Sequence, residues 1–218
     1  MKIAVFGTGM VGDTIGSRLI ELGHQVMMGS RMAKNEKALA FMAKHKANAS
    51  TGTFAEAGKF GEIIFNCTKG EGSIDAIRSA GDAVNGKVLI DISNPLDFSK
   101  GMPPSLISSL SNTNSLGEEI QKNFPKLKVV KTLNTMWCGL MINPNLIGGG
   151  NHTNFICGND SDAKAKAKSL LNEFGWKNEN LLDLGDITNA RGSEAVLPIW
   201  LRVWGATQNG AFNFKIVS

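Results

Sequence analysis

Near the start of the chain, three glycines follow one another in the spacing G-x-G-x-x-G. The residues of this segment are Gly7, Thr8, Gly9, Met10, Val11 and Gly12. In such a segment the first glycine allows a tight turn, the second lets the backbone approach a pyrophosphate, and the third allows a helix to pack closely on a strand. The N-terminus of that helix presents free N–H groups to a phosphate. The spacing therefore predicts a dinucleotide-binding site.

The sequence on either side of the glycine segment has the pattern that this prediction requires. An apolar run at residues 2–6 precedes it and predicts a strand. The segment after it carries apolar residues spaced by four, four and three positions, at Val11, Ile15, Leu19 and Leu22. This spacing predicts a helix with one buried face. A strand, a glycine turn and a helix in this order begin a βαβ unit, which favours dinucleotide binding over a glycine-rich turn with no ligand.

The end of the second predicted strand indicates which dinucleotide is bound. NAD-binding proteins carry an acidic residue there for the ribose 2′-hydroxyl. This chain instead has Ser30 and Arg31 after Gly29, with Lys34 one turn later. A guanidinium can hold a phosphate through two hydrogen bonds and can stack on the adenine ring. The pattern predicts NADP as the cofactor, against the alternative that Arg31 is a solvated loop residue.

Apolar runs and helical periodicity alternate along the rest of the chain. Strands are predicted at 2–6, 25–28, 48–52, 62–67, 87–91, 127–131 and 181–184, and an apolar segment stands at 155–157. Helices are predicted at 10–22, 33–44, 53–59, 72–80, 116–123, 161–174 and 188–207. This alternation predicts an α/β fold of the Rossmann type, a doubly wound, mostly parallel sheet with a short C-terminal α/β extension. We expect an NADP-binding domain at 1–150 and an extension at 151–218 that continues the sheet and caps the acceptor site.

Ligands of open parallel sheets lie beyond the carboxyl ends of the strands. Short polar residues follow three of the predicted central strands, and with their neighbours they are further cofactor-binding candidates: Cys67, Thr68 and Lys69, then Ser93, Asn94 and Pro95, then Asn134 and Thr135. Each could instead serve local turn geometry. The stretch 95–115 is rich in Ser, Asn, Pro and Gly and predicts a loop, either a binding loop or a plain surface excursion.

Composition narrows the class of protein. With 218 residues, 19% charged side chains and a net charge of +4, we expect one globular domain, or one and a small annex. The basic residues are scattered, so no nucleic-acid partner is expected. The chain shows no secretion signal and no apolar run long enough to span a bilayer, which predicts a cytoplasmic protein without membrane contact.

The chain lacks the residues that several known catalytic mechanisms require. It contains no tyrosine, which excludes the tyrosine–lysine pair of short-chain dehydrogenases. Cys67, Cys138 and Cys157 show no C-x-x-C spacing, so neither a metal site nor a disulfide framework is expected. His152, on a loop after three glycines, is a minor acid or base candidate. No catalytic residue is assigned.

The glycine segment at 7–12, together with Gly29-Ser30-Arg31, resembles the NADPH-dependent reductases related to the deazaflavin (coenzyme F420)-dependent NADP reductase. The cytoplasmic domain of the STEAP metalloreductases is similar. Segments 92–95, 131–135 and 190–192 match later parts of the same pattern. The resemblance implies a Rossmann domain with a short extension, often dimeric. It also implies hydride transfer between NADPH and a deazaflavin, a flavin or another flat small-molecule acceptor.

A transfer of this kind depends on positioning more than on an acid or base, because the cofactors carry the chemistry. Met136-Trp137-Cys138 and the aromatic end of the chain depart from the family pattern, so the acceptor stays open. A non-catalytic NADP sensor is the alternative, and turnover of NADPH with any acceptor separates the two. A β-hydroxyacid dehydrogenase would need a longer chain and a recognisable lysine motif.

Overall fold

The computed structural model describes residues 1–217. Its strands are β1 (Lys2–Phe6), β2 (Gln25–Ser30), β3 (Ala49–Thr53), β4 (Ile63–Asn66), β5 (Val88–Asp91), β6 (Leu96–Asp97), β7 (Ser105–Leu106), β8 (Lys128–Thr132), β9 (Asn154–Cys157) and β10 (Leu181–Asp183). Its α-helices are α1 (Met10–Glu21), α2 (Glu36–His45), α3 (Phe54–Phe60), α4 (Gly70–Ser79), α5 (Leu116–Asn123), α6 (Cys138–Ile142), α7 (Ser161–Glu173) and α8 (Ala190–Thr207).

Eight of the strands form one sheet in the order β10-β9-β8-β5-β4-β1-β2-β3. Neighbouring strands run parallel except β8 and β9, which are antiparallel. The chain moves outward from β1 to β3, then crosses back to β4 on the other side of β1. This reversal of strand order creates a crevice beyond the carboxyl ends of β1 and β4. The predicted Rossmann-type fold is confirmed.

Two apolar layers cover the sheet because its central strands are hydrophobic on both faces. One layer packs α1, α2, α6 and α7 on the sheet through residues such as Ile15, Phe41 and Leu170. The other packs α3, α4, α5 and the start of α8 through residues such as Phe54, Ile77 and Ile120. The layers hold the strand ends rigidly, so residues after β1, β4, β5 and β8 have fixed relative positions.

Two features of the chain differ from the sequence-based expectation. The stretch 95–115 is not entirely a loop, because β6 and β7 pair there as a short antiparallel hairpin. Helix α6 was not predicted, because five residues are too few to show helical periodicity. Among residues 1–217, no helix is both long and apolar enough to cross a lipid bilayer.

Candidate cofactor and acceptor site

The glycine turn joins β1 to α1 at the crevice. Gly7 has φ +109°, and its N–H donates to the carbonyl of Gly29 at 3.0 Å. A Cβ on Gly12 would lie 2.2 Å from the Gly7 carbonyl oxygen, so α1 can approach the strand only without a side chain there. A Cβ on Gly9 would meet no protein atom within 4 Å. Packing thus requires glycine at position 12 but leaves the surface above Gly9 open.

The end of β2 presents the residues predicted to choose the cofactor. Arg31 and Lys34 are exposed. Ser30 is buried, and its hydroxyl donates to the carbonyl of Met32 at 2.6 Å, which fixes the turn that carries Arg31. The serine therefore has a structural contact in this loop, while the guanidinium faces solvent.

A hollow beside the glycine turn is lined in part by two lysines of α2 that the sequence did not single out as site residues. It is lined by Thr8, Gly9, Met10, Asp13, Met28, Lys37, Ala40, Phe41 and Lys44. Positions 37, 40, 41 and 44 form one face of α2. In the sequence, the spacing of Lys37 and Lys44 by seven positions indicates that both lysines lie on one face of a helix. Lys44 lies 3.5 Å from Asp13 in a half-exposed ion pair.

A second hollow lies between the ends of β4 and β5. It is lined by Val11, Cys67, Thr68, Lys69, Gly70, Glu71, Ile92, Ser93, Asn94, Leu96 and Phe98. The fold therefore brings together predicted residues from three separate strand ends. Pro95 is buried behind this hollow, and a Cβ on Gly70 would lie 2.0 Å from the Asn94 carbonyl oxygen. Helix α4 consequently begins in direct contact with the segment that follows β5.

The segments after β5 and β8 are tied together by their asparagines. The Asn94 amide nitrogen donates to the Asn134 carbonyl at 2.8 Å, and the Asn134 amide nitrogen donates to Asn94 Oδ1 at 3.0 Å. Leu133, directly before Asn134, has φ +62°, an uncommon conformation for a branched side chain. Within residues 1–217, Asn134 Oδ1 and Thr135 Oγ1 are buried without hydrogen-bond partners. Such groups carry a free-energy penalty unless a ligand or water satisfies them.

Cys67 is the one thiol among the predicted site residues. Burial raises its pKa above the usual range, and the nearby Asp91 carboxylate raises it further. Since only the thiolate is nucleophilic, the side chain is inert at neutral pH. It packs against the apolar core layer of β1, β5 and α1.

We expect the folded protein to leave Cys67 unmodified by iodoacetamide at pH 8, because its thiol is protonated below its raised pKa. Intact-mass and peptide mass spectrometry measure the modification, and the protein unfolded in guanidinium serves as the fully alkylated control. Rapid alkylation of native Cys67 contradicts this expectation.

The C-terminal residues fold back beside the segment after β8. Trp200 stacks on Phe212 with ring centroids 5.2 Å apart and an angle of 13° between planes. Gly210 lies between Trp137 and Trp200, since its Cβ would contact both rings at 3.7 Å. Trp137 is 39% exposed. An aromatic wall therefore stands next to Asn134 and Thr135.

His152 has a structural environment and does not serve as a free acid or base. It is buried, its Nε2 lies 2.9 Å from the Pro144 carbonyl, and its Nδ1 lies 2.8 Å from the Asn213 amide. Both ring nitrogens are thus occupied. His152 lies on the loop before β9, as predicted, but the C-terminal segment covers it.

A doubly wound sheet with a glycine turn at its switch point defines the class: a dinucleotide-binding protein of the Rossmann type. Residues 2–95 match the family model described as NADP oxidoreductase, coenzyme F420-dependent. A proposed F420-dependent NADP reductase from Arthrobacter sp. FB24, known from its crystal structure, is 46% identical with a TM-score of 0.92 over 100% of both chains. The chain belongs to this F420-dependent NADP oxidoreductase family and is an NADP-dependent oxidoreductase.

Two curated relatives agree with this assignment. The F420-dependent NADP reductase of Methanocaldococcus jannaschii is 25% identical over 91% of this chain and 90% of its own length. Metalloreductase STEAP3 of Rattus norvegicus is 28% identical over 91% of this chain. The match covers 38% of STEAP3, so the chain spans well under half of that protein. The family resemblance drawn from the sequence is confirmed.

Proposed function

We propose that this protein transfers a hydride between NADPH and a flat redox acceptor, such as a deazaflavin, a flavin or a similar conjugated ring. The observation that carries the proposal is the crevice at the carboxyl ends of β1, β4, β5 and β8. There the open surface above Gly9, the hollow beside Thr68 and Asn94, and an aromatic wall are adjacent along one sheet edge.

The residues of this edge fit an NADP molecule. Gly9 leaves room for a pyrophosphate above the N-terminus of α1, whose free N–H groups favour an anion. Arg31 and Lys34 would hold the 2′-phosphate, and the Ser30 hydroxyl would fix the turn that carries Arg31. The remaining candidates would contact the nicotinamide half: Cys67, Thr68, Lys69, Ser93, Asn94, Pro95, Asn134 and Thr135. The unpartnered buried atoms of the last two offer bonds to a carboxamide or a substrate carbonyl.

When bound, NADPH supplies the hydride, and the protein's own residues supply orientation. Asn94 and Asn134 fix each other across the crevice, so the segments after β5 and β8 are preorganised. Leu96 and Phe98 add apolar side chains to the lining of the hollow and would reduce access of water. Holding the two reacting rings in contact can replace acid–base catalysis in such a transfer.

The acceptor would lie against Trp137 and Trp200. Stacked or offset aromatic rings bind flat conjugated molecules well. The departures from the family pattern at 136–138 and at the aromatic end of the chain fall on this wall. The similarity to a protein named a metalloreductase makes ferric chelates a second acceptor class to test.

The decisive experiment mixes the protein with NADPH and each acceptor separately: a deazaflavin, free flavins and ferric chelates. We expect loss of the NADPH absorbance with at least one ring acceptor. Deuterium at C4 of NADPH should appear in the reduced deazaflavin or slow its reduction. Tight NADPH binding with no turnover on any acceptor would instead identify an NADP sensor.

Three further proposals come from the sequence and from the family resemblance. We propose that the protein is a homodimer, that it acts in the cytoplasm, and that residues 151–218 form a functional extension of an NADP-binding domain at 1–150. Sedimentation of the purified protein tests the first of these directly.

A further inference from the structure

A buried cluster of charges lies directly behind the candidate nicotinamide hollow. Asn66, Asp91 and Lys131 are neighbours in register at the ends of β4, β5 and β8. Residues in register on adjacent strands point to the same face of the sheet. There they meet Glu194 from α8, and all four side chains are almost completely inaccessible to solvent.

The Lys131 ammonium is the centre of this cluster. It lies 2.8 Å from Asp91 Oδ2, 2.8 Å from Glu194 Oε1 and 2.5 Å from the carbonyl oxygen of Ser93. Burial alone would disfavour its charge, but the two carboxylates outweigh that effect and raise its pKa. The lysine is therefore charged at every physiological pH.

Each carboxylate uses its remaining capacity in a different place: Asp91 fixes side chains near the crevice, and Glu194 fixes backbone behind it. Asp91 Oδ1 accepts from the Asn66 amide at 2.8 Å and from the Ser93 hydroxyl at 2.6 Å. Asn66 Oδ1 in turn accepts from the Thr68 hydroxyl at 2.7 Å. Glu194 accepts from the backbone N–H groups of Leu116 and Gly117 at 2.9 and 3.0 Å, at the start of α5.

A buried ion cluster is poor evidence of stability, because desolvation consumes most of the attraction between its charges. We therefore looked to the groups that the cluster holds in place for its role. Its bonds converge on Thr68 and Ser93, which line the hollow after two different strands.

We propose that Lys131 is a positioning residue for the nicotinamide half of the cofactor. Through Asp91 and the Ser93 carbonyl it fixes the segments that carry Thr68 and Asn94, and through Glu194 it links them to α5 and α8. This inference rests on the proposed binding of NADPH. It assigns Lys131 no contact with the cofactor.

The test compares two variants that differ only at position 131. Glu194→Gln removes one carboxylate and keeps the ammonium on Asp91. The double variant Lys131→Met with Glu194→Gln keeps the buried formal charge of the wild type, which is −1 from one cation and two anions. In the double variant Asp91 loses its cation and keeps the hydrogen bonds from the Asn66 amide and the Ser93 hydroxyl, so the comparison with Glu194→Gln measures the loss of the ammonium.

Two ligands are titrated against each protein: NADPH, and adenosine 2′,5′-bisphosphate, which lacks the nicotinamide half. We expect the double variant to bind NADPH about tenfold more weakly than Glu194→Gln, since a charge-assisted bond that orders the site is lost. Affinity for the bisphosphate should stay within about twofold in all three proteins.

The outcomes separate the inference from the proposed function. If the wild-type protein binds NADPH no more tightly than the bisphosphate, both the positioning role and the proposed function are overturned. Equal NADPH affinity in the two variants, or equal losses for both ligands, overturns the positioning role alone. If the double variant does not fold, Asp91→Asn replaces it. That isosteric variant cannot accept from Lys131 and Ser93 together, and the same selective loss for NADPH is expected.

Discussion

Replacing Arg31 with alanine is expected to weaken binding of NADPH by about tenfold to a hundredfold while leaving binding of NADH nearly unchanged. A hydrogen bond between a guanidinium and a phosphate contributes about 1.5–3 kcal/mol to the free energy of binding. About 1.4 kcal/mol corresponds to a factor of ten in affinity. NADH has no 2′-phosphate and cannot use this bond. Fluorescence titration of both cofactors against the variant and the wild type measures the difference.

A matched control separates this contact from the loss of one positive charge. Arg78 is exposed at the far end of α4 and pairs with Asp75. Arg78→Ala lowers the net charge equally but should leave the preference for NADPH intact. Equal losses for NADPH and NADH in Arg31→Ala would show that the side chain does not select the cofactor. Lys37 and Lys44, which line the adjacent hollow, would then be the next cations to replace.

Alanine at Gly9 and alanine at Gly12 should have opposite consequences. Gly12→Ala places a Cβ 2.2 Å from the Gly7 carbonyl oxygen, so the strand and helix must separate. Overpacking of this kind costs about 1–3 kcal/mol of unfolding free energy. Gly9→Ala meets no protein atom within 4 Å, and its φ of −78° suits alanine. It should fold normally and bind NADPH about tenfold more weakly or worse, because the methyl group occupies the space of the pyrophosphate.

Thermal unfolding and NADPH titration of both variants check this pair. Gly205→Ala is the control, since Gly205 is an exposed residue of α8 and its Cβ would also meet no atom within 4 Å. It should change neither quantity appreciably. If Gly9→Ala binds NADPH as well as the wild type does, the pyrophosphate does not bind at this turn.

Local patterns in the sequence determined the order of elements and the fold class. Apolar runs of four to six residues are typical of buried parallel strands, and the glycine spacing marks the first crossover. Even β3, the least apolar of the predicted strands, is present at Ala49–Thr53. The hairpin β6–β7 escaped prediction because its strands have two residues each, too short for any alternation to be visible.

The sequence by itself determined the residues at the carboxyl edge of the sheet, where we propose that the cofactor binds: a glycine turn, a basic residue after β2, and polar residues after β4, β5 and β8. This was possible because the carboxyl ends of parallel strands all lie at the same edge of a sheet, independent of how the side chains pack. Only the tertiary structure decided which of those residues meet. Asn94 and Asn134 bond across the crevice, and His152 is enclosed by the C-terminal segment.

The Asp91–Lys131–Glu194 cluster also emerged only from the fold. In the sequence, Asp91 and Lys131 are single charges at the ends of apolar runs, and Glu194 lies on a distant helix. Their pairing depends on β5 and β8 being adjacent and in register, with α8 crossing behind them. Contacts between residues 40 and more positions apart leave no periodic trace in a sequence, because tertiary packing sets them.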